Sequence, residues 1–274
     1  MRGTPVANFG SKRHQQSGIL GRVDLKFLHK RAAIMIGTAS PPHQTIIMSK
    51  LSIIMPVLNE GESIAAALDA LSVLRSLGTE VMVVDGGSRD ATIQRARLRA
   101  DRVIAAPPGR GMQMNAGAEK ASGDVLLFLH VDTRLPADAD HVVLNGLERS
   151  GRVWGRFDVE IEGRSPLLVI IAWIMNLRSR LTGIATGDQA MFVRRDAFRT
   201  AGGFAAIALM EDIDLCKRLK RASRPLCLRE RVVTSGRRWE KGGVLHTVVL
   251  MWRLRLAYFF GADPKELARR YGYE

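Results

Sequence analysis

Cysteine is nearly absent from this 274-residue chain, which has only Cys216 and Cys227. Two thiols without zinc-ligand spacing exclude a disulfide scaffold and a cysteine zinc site. They point to a reducing cytoplasm and are expected to be ordinary buried side chains. Aromatic residues make up only 6%, too few for the stacking platforms that grip single-stranded nucleic acid. No apolar run reaches the roughly 18 residues of a membrane-spanning helix. The two longest, 167-LLVIIAWIMNL-177 and 244-VLHTVVLMWRLRLAYFF-260, the latter interrupted by Arg253 and Arg255, each read either as a core helix or as a helix lying in a membrane interface. The apolar piece 32–36 is too short for the core of a secretory signal. Acid is scarce relative to base: 41 Lys and Arg against 27 Asp and Glu give +14, a balance that suits nucleotide phosphate, nucleic acid or acidic lipid.

What is present is enough apolar material, 46%, for one globular domain with an appendage. Residues 1–48 stand apart, with seven basic residues, the single acid Asp24 and Pro41-Pro42. They are expected to be a disordered or mis-started extension, an organellar transit peptide being the alternative. From Lys50 short apolar runs alternate with amphipathic stretches, which is the βαβ pattern of a parallel sheet. Strands are expected at 51–55, 81–84, 102–105 and 125–129, and helices at 61–77, 90–100 and 111–121. After Pro136 the rhythm becomes mixed: a helix to 149, a strand over 153–161, an apolar helix from 167, a strand near 190–193, a helix over 211–221, two short strands through 234, and closing amphipathic helices.

In such a sheet, ligands collect beyond the carboxyl ends of the strands. Those ends read 56-PVLNEG-61, 85-DGGSRD-90 and 130-HVD-132. The second lacks GxGxxG spacing and opens on an acid that would repel pyrophosphate, which argues against a dinucleotide dehydrogenase. Asp85 reads either as an acceptor for a base or ribose or as the cap of its own turn. Arg110 stands at a helix start, where backbone N–H groups and a guanidinium meet phosphate, whereas Met112 and Met114 read as packing residues. If the fourth strand continues, His130 and Asp132 point the same way off its end. An oxygen ligand there suits Mg²⁺ or Mn²⁺ held mainly by substrate phosphates, with His130 either a ligand or a hydrogen-bonded strand-end residue. Glu211, Asp212 and Asp214 open a helix, as a solvated cap or as working acids, just after the polar edges 186-TGDQ-189 and 202-GGF-204.

Taken in order, PVLNE, DGGSRDAT, the run 109-GRGMQMNAGAEKASGD-124, HVD, GDQ and the pair Glu211-Asp212 resemble the motifs of inverting family 2 glycosyltransferases. The similarity runs from Leu51 to about Trp239. DGGS and LMED further resemble a bacterial branch associated with arsenosugar biosynthesis. The resemblance implies an α/β fold of the GT-A type, a Rossmann-like mixed sheet flanked by helices over 49–240, with an amphipathic helical appendage over 241–274. It implies a nucleotide-sugar donor, most simply a UDP-sugar, held by Pro56, Asn59, Glu60 and Asp85 with Arg110 nearby. Asp132, with His130 beside it, would bind a divalent cation, Mn²⁺ or Mg²⁺, and Asp212 would be the general base. Gly86, Asn115, Asp188, Glu211 and Trp239 fall in the same motifs as substrate-binding residues. The acceptor is a small molecule or a lipid, at a peripheral membrane contact or in the cytoplasm, and nucleic acid is not a partner. Three departures are plain: His130 replaces the first acid of Asp-x-Asp, Gly86 replaces the second acid of the usual Asp-Asp-Gly-Ser, and 236-GRRWEKGG-243 lacks the Gln of the Gln-x-x-Arg-Trp found in processive members. The alternatives are a sugar-phosphate nucleotidyltransferase, disfavoured because PVLNEGES stands where a Gly-rich basic signature belongs, and a non-catalytic basic membrane- or nucleic-acid-binding protein.

Overall fold

The computed structural model describes residues 49–272; the extension expected at 1–48 lies outside them. Four parallel strands come first: β1 (Leu51–Val57), β2 (Glu80–Asp85), β3 (Arg102–Ala105) and β4 (Val125–Phe128). The connecting helices are α1 (Ile64–Asp69), α2 (Ser72–Ser76), α3 (Thr92–Arg97) and α4 (Arg110–Lys120). The expected single helix over 61–77 is two, because Leu71 breaks the helical dihedrals (φ −94°, ψ 0°). Leu68, Leu71 and Leu74 stay buried across the break, so burial on the sheet rather than helical continuity decides the path. α3 starts two residues later than expected, where the Asp90 carboxylate accepts from the N–H groups of Thr92 and Gly61 at 3.0 and 2.9 Å, and it ends at Arg97.

Then follow β5 (Thr133–Arg134), α5 (Ala139–Ser150), β6 (Trp154–Glu162), α6 (Leu167–Thr182), β7 (Phe192–Arg194), α7 (Arg195–Thr200), α8 (Glu211–Leu219) and β8 (Leu226–Ser235). The chain closes with α9 (Arg237–Gly242), α10 (Val244–Phe259) and α11 (Pro264–Tyr271). All eight strands form one sheet in the order β3-β2-β1-β4-β7-β6-β8-β5. The two short strands expected before Thr234 are the single ten-residue β8. Its middle, Arg229 to Arg231, is exposed and polar, and the register slips opposite Arg156 to Asp158 of β6, so a polar interruption reads as a break in sequence but is a bulge in space.

Along β1, β2 and β4 successive residues face opposite layers. Ile53, Met55, Val81, Val83 and Leu127 pack beneath α1, α2, α5 and α6, whereas Ile54, Met82, Val84 and Leu126 pack beneath α4 and α8. Both faces are apolar because both are covered, as parallel strands require. A Cβ on Gly123 would come within 2.6 Å of the Lys50 carbonyl and 2.7 Å of the Ser52 nitrogen, so only glycine lets the chain pass this close to β1 on its way into β4. A third small core joins Met210 and Ile213 of α8's start to Leu254 of α10 and Leu267 of α11.

The strand order places the site. The chain runs outward from β1 to β2 and β3, then returns to lay β4 on the other side of β1. The crevice at such a reversal is where open α/β sheets bind ligands.

Candidate active site

A cavity of about 1580 Å³ opens at that crevice. Its walls include Pro56 and Glu60 after β1, Arg110 at the start of α4, His130 and Asp132 after β4, Asp188, Glu211 and Asp212, and Trp239 of α9. Nine of the thirteen expected site residues thus share one hollow; Asn59, Asp85, Gly86 and Asn115 do not line it.

Those four support the walls. Asp85 is 2% exposed, and its carboxylate accepts from the N–H groups of Gly87 (2.9 Å) and Ser88 (3.0 Å). Asn59, with a left-handed backbone (φ 54°), accepts from the Arg89 N–H at 2.9 Å through its side chain and donates its own N–H to Ser88 Oγ at 2.8 Å. The turns after β1 and β2 are thereby tied together. Gly86 lies against Gln113, whose amide donates at 2.8 Å to both Val57 and Val84 carbonyls and pins the strand ends. Asn115 bridges to Phe204 in both directions, at 2.9 and 2.8 Å. Gln113 stood inside the quoted motif, but only the fold reveals that it is a staple.

His130 and Asp132 reach the cavity by a turn, not by strand continuation. β4 ends at Phe128, and the Thr133 N–H donates to the His130 carbonyl at 3.1 Å. Asp132 is exposed at the rim. The His130 ring lies so close to Gly187 that any Cβ there would collide with it, and its Nδ1 is 3.5 Å from Asp188 Oδ1. Across from Asp132, burial first and then the Asp132 charge raise the Glu60 carboxyl above its ordinary pKa.

The acids that open α8 are not a solvated cap. Met210, immediately before them, holds a left-handed backbone at φ 71°, a conformation that costs a bulky residue on the order of 1–3 kcal/mol and persists only where the surroundings impose it. It turns the chain so that Glu211 is buried (8% exposed) and Asp212 half-buried. Burial, then the adjacent Asp212, push the Glu211 carboxyl up to about 7. Asp212 is fixed by two backbone donors, Gly187 N–H at 3.1 Å and Ile213 N–H at 2.7 Å. Asp214 turns away and pairs with Arg218 at 2.5 Å. Beneath the acids Phe128, Phe198 and Phe204 form a packed aromatic cluster with centroids 4.8–5.6 Å apart.

Three further details correct or sharpen the sequence reading. Met114 is core, but Met112 is 39% exposed and lines the cavity. Cys216 is buried as expected, whereas Cys227 is only half-buried. Trp239 lines the cavity and also packs against the main core.

The two apolar helices are each only partly in the core. α6 buries Leu168, Ala172 and Met175, α10 buries Leu254, and large residues elsewhere on both, including Trp173 (62%) and Trp252 (65%), face outward. No helix among the described residues is long and apolar enough to cross a membrane.

The covered sheet, with a crevice at its reversal ringed by acids and an arginine, defines an α/β protein of the open-sheet class. The sequence profile of Glycosyl transferase family 2 matches residues 52–200, and the chain belongs to that family. Glucosyl-3-phosphoglycerate synthase of Mycolicibacterium smegmatis is 27% identical over 155 residues, 48% of this chain and 51% of that protein. Undecaprenyl-phosphate 4-deoxy-4-formamido-L-arabinose transferase of Yersinia pestis is 27% identical over 162 residues, 54% and 48% of the two. The chain therefore spans about half the length of the curated relatives it matches. Among solved structures, the Mycobacterium tuberculosis glucosyl-3-phosphoglycerate synthase in complex with Mn²⁺, UDP and phosphoglyceric acid superposes with a TM-score of 0.56 at 21% identity, covering 78% of this chain and 80% of that one. Staphylococcus aureus TarS 1–349 in complex with UDP-GlcNAc also gives 0.56, at 19% identity over 68% and 58%. The fold is that of the GT-A glycosyltransferases.

Proposed function

We propose that the cavity transfers a sugar from a nucleoside-diphosphate donor, most simply a UDP-sugar, to an acceptor hydroxyl with inversion. The observation that carries this reading is the meeting, in one hollow, of Asp132 from the turn after β4 with Asp212 from the start of α8, two carboxylates 80 positions apart in the chain. Pro56 and Glu60, on the loop that Asn59, Asp85 and Gly86 brace, would hold the nucleoside, and Arg110 at the start of α4 would face the diphosphate.

Asp132 presents a hard oxygen donor, and Glu60 adds a second carboxylate nearby, a set that fits Mg²⁺ or Mn²⁺. Among the described residues no group of three or more His, Cys, Asp or Glu could hold a metal alone, so the remaining ligands would be donor phosphate oxygens, with His130 beside Asp132. A bound cation would neutralise charge on the departing diphosphate. Asp212, oriented by Gly187 and Ile213, would take the acceptor's proton, and Asp188 and Glu211 would shape the sugar site with Trp239 stacked against sugar or acceptor. One displacement inverts the anomeric carbon, and no side chain is called on as a covalent nucleophile.

The names of the relatives span a phosphorylated small molecule and a lipid phosphate, and the branch resemblance adds arsenosugars; peripheral membrane contact belongs with the lipid case. A panel of nucleotide sugars with and without Mn²⁺ tests the reading by thermal stabilisation. A ligand at 100 times its dissociation constant adds about 2.7 kcal/mol. The expected result is stabilisation by a UDP-sugar that needs Mn²⁺ and disappears in Asp132→Ala; stabilisation by none, or equal stabilisation in the variant, contradicts it.

A further inference from the structure

Other arginines drawn into this fold have acceptors for their terminal nitrogens, although the Nε atoms of Arg156 and Arg195 have no hydrogen-bond partner among the described residues. Arg156 pairs with Asp158 and donates to the Asn176 carbonyl, Arg195 donates to the Gly123 carbonyl, and Arg218 holds Asp214 and two loop carbonyls. Arg178 of α6 and Arg255 of α10 differ. Arg178 Nε and one of its Nη atoms, and Arg255 Nε, are out of contact with solvent and have no hydrogen-bond partner among the described residues. Neither side chain is in an ion pair within 4 Å there. Both line the cavity. A sequestered guanidinium without an acceptor is unfavourable in a finished structure, because its N–H groups have left water for nothing. Such a pair is retained where a ligand supplies the acceptors.

The pair comes from other elements than the donor loops. The nucleotide side of the cavity is built by the turns after β1 and β4 and the start of α4, whereas Arg178 and Arg255 come from the two long helices of the C-terminal half. Both feel the charge of Asp212, so they lie on the base's side. Burial, and then Arg255, lower Arg178 to about 10, which still leaves it charged at neutral pH. Around them Ile174, Met251, Trp252, Leu256 and Phe259 make the wall apolar.

Building on the transferase reading, we propose that Arg178 and Arg255 form an anion subsite for the acceptor. It would take a phosphate or carboxylate carried by the molecule whose hydroxyl meets Asp212. Planar guanidinium forks suit such groups through paired hydrogen bonds. The anion would hold the acceptor with its hydroxyl toward the base, leaving the apolar wall to the rest of the molecule.

The test uses the full chain with UDP and Mn²⁺ filling the donor side. Two phosphomonoesters are then titrated by calorimetry: glycerol 3-phosphate in solution and farnesyl phosphate in detergent micelles. The expected result is binding of at least one alongside UDP, weakened tenfold or more in Arg178→Gln/Arg255→Gln while UDP binding stays within twofold. That retained UDP binding shows the variant is folded; should the double variant lose it, the single variants Arg178→Gln and Arg255→Gln are read instead. Preference for glycerol 3-phosphate assigns a soluble acceptor, and preference for farnesyl phosphate a lipid one. Binding of neither, equal binding in the glutamine variants, or competition of the esters with UDP overturns the subsite. UDP failing to bind the unaltered chain strikes instead at the donor reading on which it rests.

Discussion

The two halves of the molecule solve different problems. In the first, β1 to β4 with α1 to α4, nearly every residue of β1, β2 and β4 is buried on one of two covered faces, and the polar residues gather in the turns at the strand ends, bracing one another. In the second, α6 and α10 bury one stripe each and leave large apolar side chains outside, and at the cavity wall guanidinium nitrogens of Arg178 and Arg255 have no acceptor among the described residues. The first half is built like an interior and the second like a receptor. Donor recognition needs a rigid frame, which packing supplies. An acceptor side can leave surface and charge uncompensated, because the missing partner arrives with the substrate.

Glu211 is the sharpest place to break this comparison, since it carries the burial of the first half and the uncompensated charge of the second. Its carboxyl titrates near 7 in the fold against an ordinary 4.5. Below pH 4.5 both states are protonated and nothing is lost. Between pH 4.5 and about 7 the unfolded chain ionises this acid while the folded state keeps its proton, so stability falls across that window by roughly 3 kcal/mol and levels off above it. Glu211→Gln should leave thermal stability unchanged near pH 4.5 and raise it by about that amount above pH 8. An equal effect at both pH values would show that Glu211 does not carry this cost.

Gly123→Ala tests the frame. The added methyl meets the backbone of Lys50 and Ser52, atoms that cannot yield without moving β1, so a loss of about 1–3 kcal/mol is expected by thermal unfolding. A neutral substitution would mean that this frame is looser than its packing implies. Trp173→Gln tests the receptor half and should be the mildest change. With the indole 62% exposed, stability should shift by no more than about 0.5 kcal/mol, and a larger loss would mean that α6 is held by that face after all.

The same contrast explains what the sequence disclosed. β1, β2 and β4 were legible because a doubly covered strand is a plain apolar run, and the edge strand β3, although none of its residues is buried, was read to the residue. Asp132, Glu211 and Asp212 were legible because they break such runs with chemistry at a strand end or helix start. Arg178 and Arg255 were not legible as a pair: they lie 77 positions apart inside stretches that read as apolar helices, and only the fold sets them on one wall. β8 was misread because a mid-strand Arg-Glu-Arg looks like a turn when the bulge opposite it is unseen. The bracing roles of Gln113 and Asn115 also escaped, since a side-chain amide that meets a backbone carbonyl across the fold leaves no local period.

The central claim is that Asp212 acts as base in a cavity whose opposite side holds the nucleotide. Asn at this position has the same shape and keeps one of the two oxygens that meet the Gly187 and Ile213 N–H groups but cannot take a proton, and retained UDP affinity shows that the site is otherwise intact. The decisive measurement is the rate of UDP release from the most stabilising donor by Asp212→Asn, beside its UDP affinity. The account predicts a rate lower by about 10²–10⁴ with affinity within twofold, and an undiminished rate would contradict it.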